Sequence, residues 1–106
     1  MKLYVGGAYQ GQKELARREN PGAEIFEDFH ERLRTIGDQD PRSFAQAFCR
    51  KHPDGVVVAN EVGSGVVPIT KKDRAFRENV GRALCVIAQE AEQVIRVICG
   101  IGVRIK

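Results

Sequence analysis

The sequence predicts an α/β fold, with a mostly parallel sheet held between helices in three layers. Three observations carry that prediction. Short apolar, β-branched runs alternate with stretches of helical periodicity, so successive strands must be joined by right-handed crossovers. The run GVVVAN at 55–60 is apolar without alternation, which is how a strand covered on both faces reads, and such a strand belongs inside the sheet. Glycine-rich segments follow three of the predicted strands, at 6–12, 61–69 and 100–102, where ligands bind in sheets of this kind.

Taken in order, KLYV at 2–5 is a short strand running into glycines, and QKELARREN at 12–20 is a short helix stopped by Asn20-Pro21-Gly22. AEIFED at 23–28 is a second strand. In FHERLRTIG at 29–37, Phe29, Leu33 and Ile36 recur at spacings of four and three, lining one face of a helix that closes at Gly37. Asp40 is an N-cap, Pro41 suits a first helical position, and Phe44, Ala45 and Phe48 give the next helix its apolar stripe. His52 sits where it can meet that helix's terminal carbonyls. Beyond 61–69, Thr70 and Asp73 have the spacing of a capping box, and Phe76, Val80, Leu84, Ile87 and Ala91 step along one face of a long helix. VIRVICGIGVRIK supplies the last strand and a glycine-broken tail.

A chain of 106 residues, 42% hydrophobic and 29% charged, has the size of a single domain over 1–106. Lys plus Arg exceed Asp plus Glu by 17 to 14, a scattered excess of three, and there is no Trp, so a nucleic-acid partner is not expected. The start lacks a signal-peptide core, and no apolar run approaches the roughly 20 residues of a membrane span, so the expected location is cytoplasmic. Cys49, Cys85 and Cys99 are odd in number and far apart; they read as small buried apolar residues, not as a disulfide or metal set, and no residue is assigned to a metal.

GGAYQGQKE at 6–14 has the glycine spacing of a phosphate loop, yet Gln12 stands where the template has lysine and Lys13 where it has a hydroxyl. Backbone N–H groups of Gly6, Gly7 and Gly11 could still cradle an anion at the helix start; a plain strand-to-helix turn fits the spacing equally. Asn60 and Glu61 are polar at the exit of an apolar strand, where they either cap backbone or meet a ligand. Lys71, Lys72, Arg74 and Arg77 crowd a helix start, against the helix dipole, as a solvated face or an anion contact. His30 has the chemistry of a nucleophile or an acid/base group near neutrality, although a lone histidine is more often structural.

The ordered string N-E-V-G-x-G-x-V-P, then R-x-F-R-x-x-x-G-R, then a terminal G-I-G resembles the carboxyl-terminal half of the adenosylcobinamide kinase / adenosylcobinamide-phosphate guanylyltransferase family of cobalamin biosynthesis. With the first loop, the likeness covers about the first 18 and the last 50 residues. Gly6, Gly11, Asn60, Glu61, Gly63, Gly65, Pro68, Arg74, Arg77, Gly81 and Arg82 match its pattern, and His30 is the counterpart of its guanylylated histidine. The resemblance implies a P-loop NTPase-like fold, GTP or ATP as substrate with magnesium, cobinamide as the corrinoid partner, and a homo-oligomer, trimeric in fuller members. It further implies that Glu61 orients or exchanges protons and that Arg74, Arg77 and Arg82 stabilise charge. Gln12 and Lys13 depart from the family's G-K-[ST], and much of its middle region, with a metal-supporting aspartate, is missing. A non-catalytic nucleotide- or corrinoid-binding member is the alternative expectation.

Overall fold

A computed structural model describes residues 1–61 and 70–106. The elements run β1 (Lys2–Gly6), α1 (Gln12–Glu19), β2 (Ile25–Phe26), a 3-10 helix (Phe29–Thr35), α2 (Pro41–Lys51), β3 (Val56–Asn60), α3 (Lys71–Glu90), β4 (Gln93–Ile98) and β5 (Ile101–Arg104). They build a five-stranded sheet in the order β2-β3-β1-β4-β5. Every pairing is parallel except that of β4 with β5.

Successive strand residues point to opposite faces, and both faces are covered. Tyr4, Val56, Val58, Ile95 and Val97 pack with Leu15 and Ala16 of α1. Leu3, Val5, Val57, Ala59 and Val94 pack on the other face with Phe29, Leu33, Ala45, Phe48, Val80 and Ile87. That two-sided burial explains the unbroken apolar run in β3, which lies inside the sheet between β2 and the middle strand β1. Three layers result, as the sequence predicts.

The caps read from sequence form. Asp40 Oδ1 accepts from the Arg42 N–H at 3.2 Å with Pro41 opening α2, and Thr70 Oγ1 accepts from the Asp73 N–H at 3.1 Å at the start of α3.

Five expectations need correction. The helix expected at 29–37 winds as a 3-10 helix over Phe29–Thr35, still burying Phe29 and Leu33; its start is pinned, Asp28 to Lys13 and His30 to Asn60. The strand expected at 23–28 pairs only at Ile25–Phe26, on the sheet edge. The glycine-broken tail is a strand: Cys99 (φ 51°) and Gly100 (φ 76°) form a two-residue reversal of the primed type, which returns β5 along β4 with Ile101 opposite Ile98. Cys49 is buried, but Cys85 and Cys99 are exposed, one on α3 and one at the reversal. His52 meets its helix's carbonyls only through its main chain, the N–H donating to the Phe48 oxygen at 3.0 Å, while its ring packs on Phe26 and Phe48 with centroids 4.4 and 4.7 Å away. Among the described residues, no helix is long and apolar enough to cross a membrane.

Candidate functional site

The carboxyl ends of β1 and β3 lie side by side, with Gly6 registered against Asn60. Gly6 is required there, because a Cβ would come within 2.4 Å of the Val97 carbonyl oxygen. The chain then turns through 7–11 into α1, with Gly11 left-handed at φ 90° as the residue before the helix. Tyr9, Gly11, Gln12, Lys13, Asp28 and Asn60 line a cavity of about 300 Å³ in front of this turn.

Gln12 is buried, and its Nε2 lies 3.1 Å from the Gly6 oxygen, 2.9 Å from the Gly7 oxygen and 3.0 Å from Asn60 Oδ1. With two N–H groups, the amide can serve two of these acceptors at a time. Its side chain therefore fastens the exit of β1 to the exit of β3. A main-chain bond adds to the seam, the Glu61 N–H donating to the Gly6 oxygen at 2.8 Å.

His30 is only 5% exposed, and its Nδ1 accepts from the Asn60 N–H at 3.0 Å. The neutral ring consequently carries its proton on Nε2, which stands 3.5 Å from Glu31 Oε1. Burial lowers the pKa of the ring, partly opposed by Glu31 and Asp28. Lys13 turns away from the loop: its Nζ is 2.9 Å from Asp28 Oδ2, and that hydrogen bond raises its pKa.

The turn is braced from the other flank as well. Gln10 Oε1 accepts from the Cys99 N–H and the Gln10 carbonyl from the Gly100 N–H, both at 2.7 Å. The glycine segment at 100–102 thus begins by buttressing the first loop.

Gly6, Gly7, Gly11, Gln12, Lys13, Asn60 and His30 come together. Glu61 joins them through its main chain, but it also lines a separate, mainly apolar cavity of about 450 Å³ with Leu3, Val5, Val80 and Leu84. Arg82 pairs with Glu78 and lines a surface cavity with Arg42 and Gln46. Arg74 and Arg77 stand in the first turns of α3. Beyond Glu61, the expected loop at 61–69, with Gly63, Gly65 and Pro68, lies outside the described residues. Sequence reasoning missed Asp28 and Gln10. A carboxylate just before the apolar face of FHERLRTIG is an ordinary surface signal, and nothing local announces Gln10's distant partners.

Among the described residues, no group of three or more His, Cys, Asp and Glu is arranged to hold a metal ion. Lys13 occupies the position of a magnesium-binding hydroxyl, and it pairs with Asp28, one of the two carboxylates, with Glu14, on the cavity wall. The described residues therefore lack the hydroxyl that a phosphate loop ordinarily offers to magnesium.

The model of the family "Cobinamide kinase / cobinamide phosphate guanyltransferase" matches residues 23–105. It takes in the 3-10 helix, α2, β3, α3 and the β4–β5 hairpin, and it begins after the 6–12 loop. Two proteins named "Bifunctional adenosylcobalamin biosynthesis protein CobU", from Escherichia coli (strain K12) and Salmonella typhimurium (strain LT2), are each 46% identical over 61 residues. That alignment covers 57% of this chain and 34% of each relative, so it spans about a third of the length of the curated proteins it matches. Since the family match takes in most of the chain, the protein belongs to the cobinamide kinase / cobinamide phosphate guanyltransferase family.

Proposed function

We propose that the protein acts in cobalamin biosynthesis as a nucleotide-binding member of this family, holding GTP or ATP by its phosphates on the 6–12 loop and passing GMP to cobinamide phosphate. Convergence on Asn60 carries the reading: its side chain meets Gln12 in the loop, and its N–H meets His30 Nδ1. In this scheme the His30 ring moves its proton from Nε2 to Nδ1, giving up the Asn60 N–H, and the freed Nε2 lone pair bonds to the α-phosphorus of GTP as the bond to pyrophosphate breaks. A phosphate oxygen of cobinamide phosphate then displaces the imidazole, giving GDP-cobinamide and the free ring.

The neutral Gln12 and the Lys13–Asp28 pair support loss of the kinase step, which in phosphate-loop enzymes relies on an ammonium and a metal-holding hydroxyl. The exposed apolar row Ile101, Val103 and Ile105 supports assembly with further copies of the chain.

A second reading, a binding protein without turnover, is favoured by the burial of His30 and the engagement of its Nδ1. Incubation with α-labelled GTP separates the two. Label on the protein that is acid-labile, base-stable and absent from His30→Ala supports GMP transfer. Calorimetric binding of GTP without label supports the second reading, and the absence of binding to GTP or ATP, with or without magnesium, refutes both.

A further inference from the structure

We propose that Tyr9 is a stacking residue for the ring of a purine nucleotide whose phosphates sit on the 6–12 loop, an inference that rests on the nucleotide reading above. Of the two tyrosines, Tyr4 is buried, its hydroxyl donating to Glu19 and accepting from Asn20. Tyr9 is its opposite: it is fully exposed, at 103%.

It also stands at φ 61°, a left-handed conformation that disfavours bulky side chains and in which glycine is free of strain. The loop already uses glycine at 6, 7 and 11, yet it carries its largest side chain at the strained position. The backbone there has little freedom to relax. Gln10 is fastened by two bonds to Cys99 and Gly100, and Gln12 by its amide to Gly6, Gly7 and Asn60. The strain is thus imposed from both flanks, and the ring recovers no burial in exchange.

What the ring does have is a place on the wall of the 300 Å³ cavity, with Asn60 and Asp28 among the other lining residues. A nucleotide with its phosphates on the loop amides would share that cavity with an aromatic ring whose faces are both open. Stacking is tolerant of base identity, because every base has a π-face. The expected ligand class is therefore purine nucleotides generally, in preference to ringless polyphosphates.

Because the chain has no Trp, and Tyr4 is held by the Glu19 carboxylate and does not line this cavity, a ligand-dependent change in tyrosine emission reports on Tyr9. The wild type and the variants Tyr9→Ala, Tyr9→Gly and Tyr9→Phe are titrated with GTP, ATP and inorganic tripolyphosphate, with affinities from calorimetry. GTP and ATP should quench the emission of the wild type. Tyr9→Ala and Tyr9→Gly should bind both nucleotides roughly tenfold more weakly, with tripolyphosphate affinity unchanged within about twofold, and Tyr9→Phe should stay near wild type. A melting temperature within a few degrees of wild type in Tyr9→Gly excludes unfolding as the cause. Equal weakening for tripolyphosphate, or none for the nucleotides, overturns the proposal while leaving nucleotide binding intact. A wild type that binds neither overturns both.

Discussion

Gln12 and Asn60, 48 positions apart, meet in a 3.0 Å hydrogen bond from the Gln12 amide to the Asn60 side-chain oxygen. The residue that breaks the phosphate-loop template is thus the one that closes the seam between β1 and β3.

Replacing it tests that role. Gln12→Leu leaves the Gly6 and Gly7 carbonyls and Asn60 Oδ1 without this buried donor, and should cost about 1–3 kcal/mol in urea unfolding. Gln12→Lys offers three donors to the same acceptors; it should cost less than the leucine variant and tighten tripolyphosphate binding. Equal stability of wild type and Gln12→Leu would contradict the seam.

Asp28→Asn should free Lys13, already on the cavity wall, from its ion pair. The swap is clean, since Asp28 sits at φ 54° and asparagine tolerates that region, and the lost ion pair is half-exposed, so it adds little to stability. Tripolyphosphate affinity should rise severalfold at low salt, and the gain should shrink at high salt. A loss of affinity would mean that Lys13 already serves the anion.

His30 gives a pH signature. Burial holds its folded pKa below the ordinary 6.5, so between those values the unfolded chain binds more protons. This contribution to stability is complete above 6.5 and declines as pH falls through that window, where a protonated Nδ1 could no longer accept from Asn60. His30→Gln, which keeps an acceptor, should flatten the pH dependence of the urea midpoint between pH 7 and 5. An unchanged slope would refute the assignment.

Two glycines should respond unequally to alanine. At Gly6 the new Cβ would meet the Val97 main-chain oxygen at 2.4 Å, forcing β1 and β4 apart. At Gly102 it would meet side chains and no backbone, Leu15 Cδ2 at 2.8 Å at the end of a rotatable chain and the stiffer branch methyl Ile95 Cγ2 at 2.9 Å. Gly6→Ala should therefore cost about 2 kcal/mol or more, with Gly102→Ala markedly milder. Similar melting temperatures for the two would argue against the close approach.

How much was legible follows from where each signal sits. Asp40, Pro41, Thr70 and Asp73 act within a turn of themselves, so their caps could be read directly. The β-branched run of β3 announced two-sided burial. The hairpin was missed because a primed turn usually shows Asn-Gly or Asp-Gly, and here Cys99 takes the first left-handed position. At the site, the glycine spacing and the polar exit of β3 named residues that the folded chain brings together. What Gln12 and Lys13 do there depends on Asn60 and Asp28, partners that only the folded chain brings near.

The bracing of the first turn by Gln10 on one side and Gln12 on the other has a thermodynamic corollary. The configurational entropy of shaping this turn is surrendered during folding, so any ligand bound there would meet a turn already fixed on both flanks. Capture at such a preorganised rim should be accompanied by little change in backbone amide exchange across 6–12, with the response concentrated in solvent and side chains.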